Sequence, residues 1–436
     1  MSPTFRALRT FNYRVWMTGA IVSNVGTWMQ RVAQDWLVLT VLTDHSAVAL
    51  GITTGLQFAP MLLLAPIAGV LADRMPKRRL LMMTQAAMGT IGLVLGLLVV
   101  TGTVHLWMVY VLALALGTAA AVDAPARQAF VSEMVPREDL SNAVGLNSAS
   151  FHAARIVGPA LAGLLIAWVG TGPVFLINAV SYLAVIASLS RMRVRELTPP
   201  PKAARGKGQM RAGLRYVQGR PDVVLVLALV GMVGTFGLNF QMTTALMATS
   251  VFHKGAGQYG LLGSIMAIGS LSGALLAARR ERPRLRLVVG STFAFGLFSS
   301  IAAVMPTYPL FAIALVPVGL SALTLMTSAN ATVQLSVSPE MRGRVMALYM
   351  AIFMGGTPLG APIIGWIGAQ FGARWTIGVG GVVALLTAAA AVVWAVTSRR
   401  VVVRYRVRES PHLQIRRPAP ASSEVTAEVT DPVPAL

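Results

Sequence analysis

The chain has 436 residues, of which 55% are hydrophobic and only 12% are charged, and its mean hydropathy is +0.68. Soluble domains carry about 25% charged residues, so this composition excludes an ordinary soluble protein, which needs a solvated face on every helix or strand. The net charge of +21 does not indicate a nucleic-acid-binding protein, because the basic residues separate apolar runs. The absence of cysteine excludes disulfides and thiolate metal sites. We therefore expect a polytopic membrane protein without a cofactor or a metal.

The apolar runs predict twelve membrane-spanning helices. A helix needs about 20 apolar residues to cross the bilayer. In chain order, the runs lie at 14–43, 46–72, 80–122 (divided at 101–105), 140–190 (divided at 170–173), 223–252, 255–278, 287–338 (divided at 305–309), 345–370 and 375–398. Three of these nine runs are long enough for two helices each, which gives twelve in total.

The basic residues predict the orientation of these helices. With the N-terminus in the cytoplasm, 31 Lys and Arg residues fall in cytoplasmic segments and two, Lys254 and Arg374, fall in external loops. This bias is the one that sets membrane topology, so we expect both termini in the cytoplasm. The domains expected are an N-terminal six-helix half at 1–195, a cytoplasmic linker at 196–221, a C-terminal six-helix half at 222–398 and a disordered cytoplasmic tail at 399–436.

A glycine pattern predicts that the two halves are repeats. Three glycines of helix 5 recur in helix 11 with one shared offset of 202 residues: Gly158, Gly163 and Gly170 against Gly360, Gly365 and Gly372. Two parallel repeats of six helices around a central cavity are the plan of many secondary transporters. The expected fold is therefore an all-α membrane protein with twelve transmembrane helices in two six-helix pseudo-repeats.

The loop between helices 2 and 3 carries a recognisable motif. It reads Gly69-Val70-Leu71-Ala72-Asp73-Arg74-Met75-Pro76-Lys77-Arg78-Arg79, and it resembles the signature loop of the major facilitator superfamily, from which it departs at Pro76, a position that is usually Gly. The resemblance implies a gate. Asp73 would face the positive N-terminal end of helix 11 near Arg344, and Arg74, Lys77 and Arg78 would reach an acid at the end of helix 4.

In this sequence the corresponding acid of helix 4 is Asp123. Arg127 follows it by four residues, which places the two side chains on one face of the helix, so they can form an ion pair. We interpret Asp123 and Arg127 as part of the gate.

Helix 5 resembles the antiporter motif of the same superfamily. Gly145, Gly158, Pro159 and Gly163 match its pattern, and Ala154 and Ala162 stand at two further glycine positions. The stretches 26–38, 123–130 and 147–158 are similar to the macrolide-efflux and enterobactin-exporter branch. This resemblance covers roughly residues 5 to 400. It implies a multi-pass transporter of the bacterial plasma (inner) membrane that exports small molecules by proton antiport.

Three charged residues inside the predicted helices are candidates for substrate or proton binding, because charge within a membrane is costly. Arg31 and Asp35 are one turn apart on helix 1 and can pair with each other. The alternatives there are an ion pair near the external mouth and a binding role. Arg155 lies near mid-depth in helix 5 without an acidic neighbour on its own helix. Its candidate partners are Asp123, a substrate anion and backbone carbonyls freed by Pro159.

Further candidates for the cavity lining are uncharged or weakly basic: Asn24, Trp28, His152, Asn239 and Gln241. The leading hypothesis is a proton-coupled exporter of amphipathic small molecules, such as drugs, macrolide-like compounds or siderophores, acting as a monomer and not as an enzyme. Its expected partners are the substrate, protons and the lipid bilayer, with no nucleic acid. One alternative is an importer of the same fold. The other is a membrane enzyme, which would need carboxylates or histidines clustered at one interface.

Overall fold

The computed structural model describes residues 3–198, 209–278, 285–397, 402–405 and 413–416. Its helices are, in chain order, α1 (Phe11–Trp36), α2 (Ala47–Leu63), α3 (Ala65–Arg74), α4 (Lys77–Val100), α5 (Leu106–Met134), α6 (Leu140–Val169), α7 (Thr171–Arg191), α8 (Gln209–Gln218), α9 (Pro221–Phe236), α10 (Phe240–Leu246), α11 (Ala256–Ala278), α12 (Leu285–Val304), α13 (Tyr308–Ser336), α14 (Pro339–Phe371) and α15 (Ala373–Thr397). Wider π-type turns extend α1 over Leu37–Leu42 and α10 over Met247–Val251.

These helices agree with the predicted transmembrane segments. Ten helical segments within the described residues are long and apolar enough to cross a membrane. The other two predicted spans are α1 and the pair of α2 and α3. The helix α1 is more polar, because it carries Arg31 and Asp35. The 17-residue α2 continues as α3 after a break at Leu64. Pro66 explains that break, because it has no N–H to donate within a continuous helix. The chain is therefore an all-α membrane protein.

The divisions predicted within the long apolar runs also occur. The run 140–190 divides at Gly170, whose φ of +80° lies in a region that favours glycine. Gly372, at the equivalent position of the second half, has a φ of +92°. An interruption that the sequence did not predict occurs between α9 and α10, at residues 237–239.

The two halves repeat each other in their contacts as well as in their sequence. A Cβ added at Gly163 on α6 would lie 2.6 Å from the Ala256 carbonyl at the start of α11. A Cβ added at Gly365 on α14 would lie 2.6 Å from the Ala47 carbonyl at the start of α2. Each half thus presents a small residue to the other half at the same place. This is how two parallel repeats meet across a pseudo-twofold axis.

These contacts bring the halves together at one end of the molecule. They lie towards the loops at 43–46, 170 and 252–255, which the charge pattern places outside the cell. Two hydrogen bonds join the described residues of the two halves, Tyr259 to Asp35 and Ser264 to Ile156, and both lie between the middle of the helices and this end. At the opposite end, no hydrogen bond or ion pair between described residues crosses from one half to the other.

The interior of the N-terminal half is aromatic and aliphatic, with Tyr13, Trp16 and Phe130 fully buried. The outer surfaces of the helices are also apolar: Trp107, Trp168 and Leu386 are each more than 60% exposed. A surface of this kind is stable only against lipid tails, since apolar patches of that size are rare on soluble proteins.

The chain divides into two compact units, Met1–Ala388 and Ala389–Leu436. The second contains the end of α15 and an antiparallel pair of strands, β1 (Val402–Tyr405) and β2 (Leu413–Arg416), in which Val402 is opposite Arg416. The remainder of the predicted tail and residues 199–208 of the predicted linker lie outside the described residues. Within the predicted linker, the structure has the short helix α8.

Candidate functional site

One face of α1 carries Trp28, Arg31 and Asp35. Their spacing of three and four residues places them on the same side of the helix. This face meets three other helices. Trp28 contacts α6, where Gly158 allows its approach, Arg31 lies over Phe58 of α2, and Asp35 contacts α11. The face therefore lies where the N-terminal half meets the C-terminal half.

Two arginines share the indole ring of Trp28. The guanidinium carbon of Arg31 lies 4.8 Å from the ring centroid and that of Arg155, on α6, lies 5.6 Å from it. Such cation–π contacts stabilise a cation by about 0.5–2 kcal/mol. Neither arginine makes an ion pair or a hydrogen bond with another described residue, and the buried Nε of Arg31 has no partner. Two like charges are thus held together without a carboxylate.

Asp35 forms no ion pair with Arg31, so of the two alternatives that their spacing left open, the ion pair is not formed in this structure. The Tyr259 hydroxyl donates to Asp35 Oδ2 at 2.9 Å, and the Trp36 ring stacks on the Tyr259 ring at 6.3 Å. Asp35 as a residue is only 6% exposed. The reason is tertiary: α11 packs on α6, and Tyr259 in its first turn reaches Asp35 on α1, while the Arg31 side chain turns towards Trp28 and Phe58.

The other predicted lining residues are distributed around this site. His152 contacts the Phe151 ring, which itself lies 5.8 Å from Trp28. The Gln241 backbone carbonyl accepts a second, 3.3 Å contact from Tyr259, so Gln241 borders Asp35. Asn24 is half-buried on α1. Asn239 lies elsewhere, because its amide donates to the Thr235 carbonyl where α9 packs on α14.

Asp123 belongs to a separate cluster nearer the predicted cytoplasmic end. Its Oδ1 accepts hydrogen bonds from Thr84 at 2.7 Å and from Gln85 at 2.8 Å, and its Oδ2 accepts from Arg127 at 2.9 Å. The ion pair with Arg127 confirms the spacing argument. The prediction that Asp123 pairs with the signature loop is wrong, and so is Asp123 as a partner of Arg155, because Asp123 is already enclosed by α4 and its own helix.

The acid that meets the signature loop is Glu133. Lys77 Nζ lies 2.6 Å from Glu133 Oε1, and both side chains are largely buried. Glu133 lies ten residues beyond Asp123, or about 15 Å further along α5, which brings it level with the loop. Arg78 donates to the Leu189 carbonyl at 2.6 Å. The loop therefore ties α4 to the cytoplasmic ends of α5 and α7.

The remaining residues of the signature loop differ in their positions and exposure. Pro76 precedes α4 with a φ of −57°, which the proline ring favours, so the departure from the family pattern fits the turn. Gly69 lies in α3, and Arg74 at its end is exposed. The side chain of Asp73 lies outside the described residues, and its contact with α14 stays a prediction.

The glycines of the antiporter-like motif are not equivalent. A Cβ at Gly158 would lie 2.5 Å from the Trp28 Cβ, and Gly163 is in close contact with α11. Pro159 of α6 packs against Gly263 of α11. Gly145 has open space around it. The motif thus permits close packing only in the part of α6 beyond Ala154.

The C-terminal half has no counterpart of the two arginines. His45 and His253 both have left-handed backbone conformations and are 208 residues apart. With this offset, the position that corresponds to Arg31 is the uncharged Asn239. The glycine offset of 202 residues carries Arg155 to Thr357. Residues 223–253 contain no Asp, Glu, Lys or Arg. The charged part of the site therefore belongs to the N-terminal half.

Two further features do not contribute to this site. A pocket of about 440 Å³ lies at the outer ends of α1, α4, α6 and α7, lined by residues such as Val100, Ile166 and Pro173, and it contains neither arginine. Within the described residues, no group of three or more His, Asp or Glu is placed to hold a metal ion.

At the start of the C-terminal half, α8 is tied to the segment that precedes α14. The Ser338 backbone N–H donates to the Tyr216 hydroxyl at 3.5 Å and lowers the pKa of Tyr216. Arg220 makes two hydrogen bonds to Asp222, at 3.0 and 2.8 Å, which raise the pKa of Arg220. These contacts are internal to one half and fix the geometry of its cytoplasmic end.

A comparison with protein families identifies the chain. The model of a family described as "transmembrane secretion effector" matches residues 2–411, nearly the whole chain. The chain belongs to this family of the major facilitator superfamily. It is therefore a multi-pass secondary transporter. The family assignment agrees with the signature loop and with the two repeated halves.

Curated relatives place the chain near siderophore transporters. It is 25% identical over 370 residues to a staphyloferrin A transporter of Staphylococcus aureus, with 82% of this chain and 90% of that protein covered. It is 28% identical over 341 residues to the enterobactin exporter EntS of Citrobacter koseri, with 76% of this chain and 79% of that protein covered. The resemblance to the enterobactin-exporter branch is thereby confirmed.

Solved structures show the same fold. A bacterial homologue of the human lysosomal transporter Spinster, in an inward-facing and unoccupied conformation, gives a TM-score of 0.66 at 15% identity and covers 91% of this chain and 96% of its own. A POT family transporter gives a TM-score of 0.70 at 10% identity, with 88% and 96% covered. The major facilitator fold is confirmed.

Sequence reasoning missed several residues of the site. Tyr259, Phe58 and Phe151 were not among the candidates, although each contacts a predicted residue directly. Tyr259 had a weak signal, because a phenol in the first turn of an otherwise apolar helix needs a polar partner. The two phenylalanines had none, since an aromatic residue in a membrane helix is more often in contact with lipid or core.

Proposed function

We propose that this protein is a proton-driven exporter that moves amphipathic small molecules, siderophore-like or macrolide-like, out of the cytoplasm by alternating access. The observation that carries the proposal is the buried Asp35 carboxyl group, held by Tyr259 across the closed end of the two halves. Opening that end has to break this hydrogen bond and expose Asp35 to the outside. A carboxyl group that alternates in this way can take up a proton on one side and release it on the other.

The proposed direction of transport follows from the predicted topology, in which both termini lie in the cytoplasm. The closed end then faces outwards, and the end at which no hydrogen bond between described residues joins the halves faces the cytoplasm, where an exporter loads its substrate. The name of one curated relative, an enterobactin exporter, supports the outward direction. The names of both relatives support a siderophore-like substrate. We propose that the protein acts as a monomer in the bacterial inner membrane.

Transport in vesicles of known orientation tests this function. In inside-out membrane vesicles with an acidified lumen, we expect radiolabelled enterobactin, staphyloferrin A or erythromycin to accumulate. Collapse of the pH gradient should abolish the accumulation. Accumulation in right-side-out vesicles instead would make the protein an importer of the same fold. We propose no enzymatic activity, because the family and the relatives are transporters.

The variant Asp35→Asn tests whether Asp35 carries the coupled proton. Asp35→Asn can still accept the Tyr259 hydrogen bond, so we expect the fold and substrate exchange without a gradient to persist. Gradient-driven accumulation should fall at least tenfold. Asp44→Asn is the matched control, since Asp44 is a fully exposed acid in the neighbouring loop. Full gradient-driven accumulation by Asp35→Asn would refute the coupling role of Asp35.

A further inference from the structure

The two arginines that share the Trp28 ring form a cationic pair inside the membrane region. Arg31 comes from α1 and Arg155 from α6, and the Phe58 ring lies 5.4 Å from the Arg31 guanidinium carbon on its other side. Both arginines are half-buried as residues, although the Nε of Arg31 is fully buried. Positive charge and aromatic surface therefore occur at one place.

Neither arginine of this pair forms an ion pair with a described carboxylate. Among the described residues, neither guanidinium lies within 4.0 Å of a carboxylate, and the buried Arg31 Nε donates to no atom. The acid nearest in sequence, Asp35, accepts a hydrogen bond from Tyr259 at Oδ2, and its single charge can balance at most one of the two arginines. Unpaired charge in the membrane interior is costly and is kept where it serves a function. The missing anion is therefore expected from a ligand.

We propose that Trp28, Arg31 and Arg155 bind the acidic group of an amphipathic organic anion, and that aromatic organic acids are the substrate class of this transporter. Guanidinium groups bind carboxylates through two parallel hydrogen bonds, and the aromatic rings accept a flat apolar body. This inference rests on the proposed transport function and narrows its substrates from amphipathic molecules in general to anionic ones.

The uncharged residues at the corresponding positions of the C-terminal half agree with a single anionic contact. The positions that correspond to Arg31 and Arg155 are Asn239 and Thr357, so an acidic group has a charged partner on one side of the cavity only. The N-terminal half then retains the anion while the C-terminal half moves around the apolar part of the substrate. A neutral molecule of the same shape leaves both guanidinium groups unpaired and binds more weakly.

A matched pair of probes separates charge from shape. We expect purified full-length protein in nanodiscs to bind 2-naphthoate at least tenfold more tightly than 2-naphthamide in equilibrium dialysis. Arg31→Gln and Arg155→Gln should each remove that preference, and Arg155→Lys should restore part of it. Arg374→Gln is the control, since Arg374 also lies near an aromatic ring but donates to the Ala303 and Met305 carbonyls, away from the site. Equal binding of both probes by the wild type would overturn the proposal.

A second measurement needs no variant and applies even if the glutamine substitutions fail to fold. Phenylglyoxal modifies accessible guanidinium groups, and peptide mass spectrometry locates the modified arginines. We expect 2-naphthoate to slow modification of Arg31 and Arg155 several-fold while leaving Arg374 unchanged, and 2-naphthamide to protect neither. Absence of protection by 2-naphthoate would overturn the site. Neither test uses a proton gradient, so a failure of proton coupling or export direction is distinguishable from a failure of this site.

Discussion

The Tyr259 hydroxyl lies 2.9 Å from Asp35 Oδ2 and joins α11 of the C-terminal half to α1 of the N-terminal half. Arg31, one turn away from Asp35, forms no ion pair with it and lies against the rings of Trp28 and Phe58. A single phenol thus has two effects in this conformation. It joins the two halves at one end, and it occupies one carboxylate oxygen of the acid nearest to Arg31 in sequence.

Removal of this hydroxyl should open the closed end. With spin labels on Asp44→Cys and Lys254→Cys, two exposed loop positions in different halves, we expect Tyr259→Phe to increase the population at the longer distance. A net hydrogen bond to a charged group contributes about 1.5–3 kcal/mol, so the shift should be tenfold or more. The measurement is pulsed electron–electron double resonance in nanodiscs.

Tyr308→Phe is the control for that experiment. The Tyr308 hydroxyl donates to the Gln258 carbonyl at 2.9 Å, so it loses a comparable hydrogen bond within one half. We expect its distance distribution to match the wild type. If both variants shift the distances equally, the Asp35–Tyr259 contact does not hold the end closed.

The glycines of the antiporter-like motif should differ in effect. Alanine at Gly163 places a Cβ 2.6 Å from the Ala256 carbonyl, and relief of that overlap costs about 1–3 kcal/mol in the closed conformation. We expect Gly163→Ala to favour the open end in the same spin-label assay. Gly145→Ala meets no neighbour and should stabilise α6 by about 0.5–1 kcal/mol through helix propensity, which a raised melting temperature would detect. An open end in Gly145→Ala would contradict this distinction.

Substitutions of the buried residues Lys77 and Glu133 should have non-additive effects on the stability of the protein. Lys77→Met leaves the Glu133 carboxylate buried without a partner, which costs up to about 3–5 kcal/mol. We expect a lower melting temperature for Lys77→Met and recovery of much of the loss in Lys77→Met/Glu133→Leu. The exposed neighbour Arg79→Met serves as the control. Additive losses in the double variant would show that the pair contributes nothing.

The signature loop predicts a role for Asp73 in gating. A carboxylate near a helix N-terminus stabilises it by about 0.3–1 kcal/mol when exposed and by up to about 2 when partly buried, enough to change a conformational equilibrium several-fold. We expect Asp73→Asn to slow transport while expression and melting temperature stay normal. Glu196→Gln, in an exposed pair with Arg193, should have no effect. Unchanged transport by Asp73→Asn would contradict the gate.

The predicted orientation is testable because the chain has no native cysteine. In intact cells, an impermeant maleimide should label Lys254→Cys and should not label Arg205→Cys. Permeabilised cells should label both, which controls for reactivity. Labelling at position 205 with protection at 254 would reverse the topology and with it the direction of the closed end.

The sequence by itself determined the class of protein, the approximate positions of the helices and the relation between the halves. These properties depend on the length of apolar runs, on turn residues such as Gly170 and on the distribution of basic residues, all of which are read along the chain. The Asp123–Arg127 pair was predictable for the same reason, since both members lie on one helix.

Only the tertiary structure decided which side chains meet between helices. The spacing of Arg31 and Asp35 allows them to pair, but Tyr259, 224 residues away from Asp35, donates to Asp35 Oδ2 because α11 packs on α6 and brings its first turn to the end of α1. Lys77 meets Glu133 and not Asp123 because α5 continues about 15 Å further towards the loop. Arg31 and Arg155 share Trp28 because Gly158 lets α6 approach α1. The rotation and packing of the helices determine these partners, and neither can be read from a hydropathy pattern.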